Sequence, residues 1–179
     1  NVCVLDFARF SFDGGDWSEE AEILRVDGMV RDTVGIERRG GEMLQPWFAK
    51  LNDTKVYGKL SLTYKFNIEN LPEGEIFIAG ERPEFNRYAI NGVKLEPLGI
   101  NEFWIDDCFK KMPVPASALK VGINEVTVTV DFMRTTNVEA IYLVGDFGVK
   151  LNGKDRTIVS LPDKIGCLDY PNYNLPFYT

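Results

Sequence analysis

From residue 60 to residue 68 the chain alternates, with Leu60, Leu62, Tyr64, Phe66 and Ile68 separated by Ser61, Thr63, Lys65 and Asn67. A period of two puts every second side chain on one face, so the segment is predicted to be a strand with one buried side. The pattern returns from 124 to 132, where Val126, Val128, Val130 and Phe132 alternate with Thr127, Thr129 and Asp131. Shorter apolar runs lie at 76–79, 87–90, 93–95, 103–105 and 140–144. Asn91-Gly92 separates two of them and marks a hairpin, because a type I′ turn needs positive φ at both central residues. Asn152-Gly153 repeats the signal between Val149-Lys150-Leu151 and Thr157-Ile158-Val159. Roughly eight short strands punctuated by Gly and Pro predict an all-β fold, an antiparallel sandwich.

One segment has a different period. Ile23, Val26, Val30 and Val34 recur at helical spacing, and Gly35 is placed to stop the helix. Upstream, Trp17-Ser18-Glu19-Glu20 offers a cap and two acids suited to a helix N-terminus. From 38 to 54 no period is clear, although Trp47 and Phe48 predict a pinned segment rather than a free one.

Composition narrows the chemistry. The 179 residues fit one domain, divided into an N-terminal arm with the helix (1–54), a sandwich core (55–160) and a C-terminal arm (161–179). The first residues, Asn1-Val2-Cys3-Val4, lack a signal-like apolar stretch, and the last, Leu175-Pro176-Phe177-Tyr178-Thr179, are aromatic. The expectation is a module cut from a longer polypeptide, with the compartment, secreted or cytoplasmic, left open. A net charge of −7 without a basic stripe argues against a nucleic-acid partner. No apolar run approaches the ~18 residues of a membrane span. The absence of histidine removes imidazole bases, Ser/His/Asp and Cys/His triads and His-ligated zinc. Cys3, Cys108 and Cys167 are too scattered for a metal or redox motif and are expected to be small buried hydrophobes.

The strand pattern together with Asn91-Gly92, Phe103-Trp104-Ile105-Asp106 and Leu119-Lys120-Val121-Gly122-Ile123-Asn124 resembles the sugar-binding jelly roll of family 2-type glycoside hydrolases. Ala8-Arg9-Phe10, the stretch from Gly41 to Trp47, Glu81-Arg82-Pro83, the stretch from Glu139 to Val149, and Pro176-Phe177-Tyr178 are similar to the C-terminal galactose-binding-like domain of large bacterial enzymes of the α-L-rhamnosidase type. The resemblance implies a non-catalytic jelly roll whose partners are carbohydrate and the catalytic domain of the same polypeptide. It transfers no catalytic residue, because family 2 enzymes keep their carboxylates in a separate barrel. A purely structural domain packed on that barrel is the alternative, and a free-standing carboxylate glycosidase a more distant one.

Sugar binding needs an aromatic face and planar polar groups. Trp104 with Asn101, Glu102 and Asp106 offers both, and Tyr170, Asn172 and Tyr173 form a second set. Arg82, at a turn, can grip a carboxylate or hydroxyls, or order its own loop through a nearby acid. Hydrolysis needs two carboxyls facing each other across the bond; Glu102, Asp106 and Asp107 are the most suggestive cluster. No cofactor is expected beyond a structural calcium, which jelly-roll sugar-binding domains often carry, with Asp6 and Asp146 as its ligands. Alternation within 103–105 predicts Phe103 and Ile105 in the core and Trp104 facing outward.

Overall fold

The computed structural model describes residues 1–39, 54–99, 101–166 and 170–177. The expectations for Trp47, Phe48, Cys167 and the stretch from Gly41 to Trp47 lie outside those residues. In chain order the elements are β1 (Val2–Leu5), β2 (Phe7–Phe12), β3 (Ala21–Glu22), α1 (Ile23–Val34), β4 (Val56–Ile68), β5 (Ile76–Glu81), β6 (Arg87–Ile90) and β7 (Val93–Leu95). They continue with β8 (Phe103–Trp104), β9 (Asp106–Val114), β10 (Gly122–Met133), β11 (Ile141–Gly145), β12 (Gly148–Asn152) and β13 (Asp155–Val159). No helix among them is long and apolar enough to cross a membrane.

The strands form a sandwich of two sheets. One has five strands in the order β1-β11-β5-β9-β8, and the other has eight, running β12-β13-β4-β10-β6-β7 with β2 and β3 attached beside β4. Among the described residues the pairing is antiparallel throughout, except where β13 runs parallel to β4 at Asn67 and Ile68. The N-terminal stretch that reads as an arm supplies a strand to each sheet: β1 pairs with β11, and β2 with β4.

Alternation fills the space between the sheets. Leu60, Leu62, Tyr64, Phe66 and Ile68 of β4 and Val126, Val128, Val130 and Phe132 of β10 point inward from the larger sheet. Cys3, Leu5, Ile76, Ile78, Met112 and Leu143 meet them from the smaller one. Each such side chain contributes about 1.5–3 kcal/mol by leaving water. Gly80 makes room for Tyr88, since a Cβ there would sit 2.6 Å from the phenol oxygen. Tyr88 thereby reaches across the sandwich and donates to the Glu81 carbonyl at 2.8 Å.

The turns follow the sequence with one difference. Asn91 and Gly92 both have positive φ (47° and 83°) and close β6 on β7 as a type I′ turn requires. In the second hairpin Asn152 pairs with Asp155, so Gly153 and Lys154 are the central residues. Asn124, fully buried, bonds the Lys120 and Gly122 carbonyls and receives the Lys120 N–H and the Asn91 amide, which locks the Leu-x-x-Gly-x-Asn corner to the first hairpin.

Helix α1 closes the side of the sandwich next to β2, with Ile23, Val26 and Val30 in the core. Gly35 ends it in the left-handed conformation, as expected. Its start differs from the sequence reading. Glu22, not Ser18, caps it by accepting from the Arg25 N–H at 3.3 Å. Ser18 instead accepts from the Phe10 N–H at 3.0 Å, so residues 17–20 are a loop fastened to β2. The helix also buries a charge: Arg31, 1% exposed, pairs with Asp27 at 2.8 Å and donates to the Arg134 and Thr136 carbonyls. Of the described cysteines, Cys3 is buried, whereas Cys108 is exposed, contrary to expectation, because the first residues of β9, next to the β8–β9 turn, are all exposed.

Candidate functional site

The side chains of the five-stranded sheet that point away from the core make an apolar surface. They are Val2 and Val4 on β1, Tyr142 and Val144 on β11, Phe77, Ala79 and Glu81 on β5, and Asp107, Phe109, Lys111 and Pro113 on β9. Register sets the rows. Val4, Tyr142, Ala79 and Lys111 lie across neighbouring strands, with Val2, Val144, Phe77 and Pro113 in the row beside them. Ala79 is the small residue in the middle, and it is fully buried.

Three rings gather over this surface. Phe109 and Tyr142 are 5.2 Å apart at an interplanar angle of 77°. Trp104 lies 5.2 Å from Tyr142 at 43° and 6.4 Å from Phe109 at 63°. The rings meet edge to face or tilted, the arrangement their quadrupoles favour, and do not form one flat platform. Partial burial pushes the Tyr142 phenol up, and the carboxylates of Glu139 and Glu81 add to the shift. Beside the rings, the Lys111 ammonium rests over Phe77, 5.5 Å from its centroid.

A polar network borders the cluster. Asn137 donates to Glu81 at 2.8 Å, and Arg39 bonds the Asn137 side chain and the Thr136 carbonyl. Arg39 also lies 3.8 Å from both Asp27 and Glu139, which links the network to the helix. Burial pushes the Glu139 carboxyl up, Glu81 adds to it, and Arg39 opposes it.

The sequence-predicted residues fall in several places. Trp104 does face away from the core and is half-buried. The premise that Phe103 and Ile105 occupy the core is wrong: they are 44% and 79% exposed. The reason is the tight β8–β9 turn, in which Trp104 pairs directly with Asp106 and Ile105 takes a φ of 62°. Asn101 and Glu102 are exposed and lead into β8 beside β9, where the Glu102 carbonyl accepts from the Lys111 N–H at 3.1 Å. Asp106 accepts from the Cys108 N–H at 3.0 Å, which holds its carboxyl below the usual value. Asp107 pairs with Lys110 at 2.6 Å. These acids decorate a hairpin and do not face one another across a cleft.

Arg82 sits at the β5–β6 corner with a φ of 49°, stacked on Phe85 at 4.5 Å and 3.7 Å from Glu84. It borders a recess of about 20 Å³, room for one water and not a sugar ring. Tyr173 belongs to a 3-10 turn (Tyr170–Tyr173) whose neighbour Asn174 accepts from Val149 of β12. That strand is the far edge of the other sheet, so Tyr173 and Trp104 do not share a site. Asp6 and Asp146 follow opposite ends of the paired strands β1 and β11, roughly six residues or ~20 Å apart along the strand. Asp6 is also held by Arg156 at 2.9 Å. The two do not fit a shared calcium, and no group of three or more metal-ligating side chains is gathered among the described residues.

Tyr142, Phe109, Phe77 and Lys111 escape the sequence reading. Tyr142 lies inside an apolar run, Ile141 to Val144, whose two faces look alike, and only its polar tip distinguishes it. Compared with the models of known protein families and with curated proteins, the chain matches none.

Proposed function

We infer that this chain is a non-catalytic module of a larger glycoside hydrolase, a galactose-binding-like sandwich that contacts carbohydrate through the outer face of its five-stranded sheet. The observation that supports this reading most is the exterior cluster of Trp104, Tyr142 and Phe109 on a sheet whose fold needs only its inner face to be apolar. An accessible Trp beside a phenol, a carboxylate and an amide has the mixed character that sugar recognition uses, apolar for C–H faces and polar for hydroxyls. The test is a broad glycan array probed with the unmodified chain and with Trp104→Ala. Binding that is lost in the variant supports the reading, and a blank across the array removes it.

A second reading, support of a catalytic domain, draws on a separate observation. The rings are not coplanar, and Val2, Val4, Val144 and Phe77 extend the apolar area beyond them. Such a surface also suits a protein neighbour. Concentration-dependent self-association of the isolated chain, abolished by Phe77→Ser, would favour it over sugar contact.

A further inference from the structure

We propose that the glycan taken by this face carries a carboxylated sugar residue, a uronic acid, and that Lys111 is the group that meets its carboxylate. The inference rests on the sugar-binding reading above and adds to it the chemical class of the ligand.

Four outward positions of the five-stranded sheet are titratable: Tyr142, Glu81, Asp107 and Lys111. Two of the three charged groups are already satisfied. Glu81 accepts from Asn137 at 2.8 Å, and Asp107 pairs with Lys110 at 2.6 Å. Lys111 differs, because its described interactions are the ring of Phe77 and its own backbone bonds, and no carboxylate among the described residues lies within ion-pair distance. Its side chain is half-buried and lies along the apolar surface, with the ammonium at the tip. A cation so placed is less screened than one in open water, and it favours an anion that can also cover the neighbouring rings.

Position and charge define that anion further. Lys111 and Tyr142 share a row with Ala79 between them, two strand spacings or ~9.6 Å apart at the backbone. A ligand that touches both spans this gap, as a disaccharide does. The chain carries a net charge of −7. A polyanion would therefore be repelled by the molecule as a whole, and the single ammonium suits a single acidic residue in an otherwise neutral glycan. The Lys111 N–H donates to the Glu102 carbonyl at 3.1 Å and the Lys111 carbonyl accepts from the Leu98 N–H at 3.0 Å, which fixes the backbone that carries the cation.

The experiment is calorimetric titration of the chain with di- and trisaccharides of galactose, glucose and mannose, each matched with its counterpart bearing one terminal uronic acid. At least one acidic member is expected to bind about tenfold tighter than its neutral match, the scale of one charge-assisted hydrogen bond. Lys111→Met, which keeps an unbranched side chain over Phe77, should erase that ratio by bringing the acidic member down to the affinity of its neutral match. Lys111→Arg should retain it, and unfolding midpoints in urea verify that both variants fold. A ratio near one, or a ratio untouched by Lys111→Met, overturns the inference while sugar binding stands. No binding of any member, acidic or neutral, overturns the sugar reading with it. Dimerisation in sedimentation that Lys111→Glu abolishes would assign the face to a protein contact instead and overturn the inference in another way.

Discussion

The two sheets solve the same problem inside and opposite problems outside. Inward, both present aliphatic and aromatic side chains to a shared core. Outward, the eight-stranded sheet is polar. Lys59, Ser61, Thr63, Lys65 and Asn67 of β4 stand beside Asp131, Thr129, Thr127, Glu125 and Ile123 of β10, of which only Ile123 is apolar. Opposite charges meet across it, Lys65 with Glu125 at 3.9 Å and Arg87 with Asp131 at 4.0 Å. The five-stranded sheet instead turns Val2, Val4, Phe77, Phe109, Trp104, Tyr142 and Val144 away from the core. An antiparallel sheet is stable with one polar outer face, as β4 and β10 of the larger sheet demonstrate. The smaller sheet departs from that pattern with half-buried apolar side chains on its outer face, and the proposed contact makes use of them.

Neighbouring residues of β11 give the strongest way to break that contrast. Leu143, at 0% exposure, is a core position, while Val144 is half-buried on the outer face. Leu143→Ala is expected to cost about 2–5 kcal/mol and Val144→Ala less than about 1, measured by urea unfolding. Equal costs would mean that the outer face is itself a second core.

Trp104→Ala sharpens the same contrast from the middle of the scale. The ring is half-buried against two others, so a loss of roughly 1–2 kcal/mol is expected. A loss of about 3 kcal/mol or more would make Trp104 a structural anchor and move any ligand contact elsewhere. The smallest effect concerns the border of the surface. Ile105 is β-branched, 79% exposed and held at a φ of 62°, a conformation costly for such a side chain. Ile105→Gly should stabilise the chain by about 0.5 kcal/mol, the relief of strain being partly offset by a more flexible unfolded state. A decrease in the urea midpoint would show that the isoleucine side chain makes contacts worth more than the strain.

The contrast also explains what the sequence revealed. Strands β4 and β10 were legible because their two faces differ, so apolar and polar residues alternate along them. Strand β11 is apolar on both faces, and Ile141-Tyr142-Leu143-Val144 reads as one continuous run with no clue to which side Tyr142 takes. The Asn91-Gly92 turn was legible because both residues tolerate positive φ. The turn at Ile105 was not, since an isoleucine is among the least expected residues for that backbone, and missing it shifts Phe103 to the wrong face. The Asp27–Arg31 pair was hidden for a related reason: a charged pair at helical spacing reads as a solvated face until the fold covers it. As for the site, Trp104 was visible as a candidate, but its companions come from β9 and β11, which register alone brings together.

The pairing of β1 with β11 has a consequence in time. Val2 lies opposite Val144, and Leu5 opposite Ile141. A ribosome releases β1 before the intervening strands and β11 after most of them, so β1 waits without its β11 partner while they are made. Closing so long a loop is entropically slow, and topologies rich in distant pairings fold in about milliseconds to seconds rather than microseconds. During that wait Val2, Val4 and Leu5 are an apolar segment without the β11 edge, which leaves this part of the nascent chain exposed to chaperones and to misassembly.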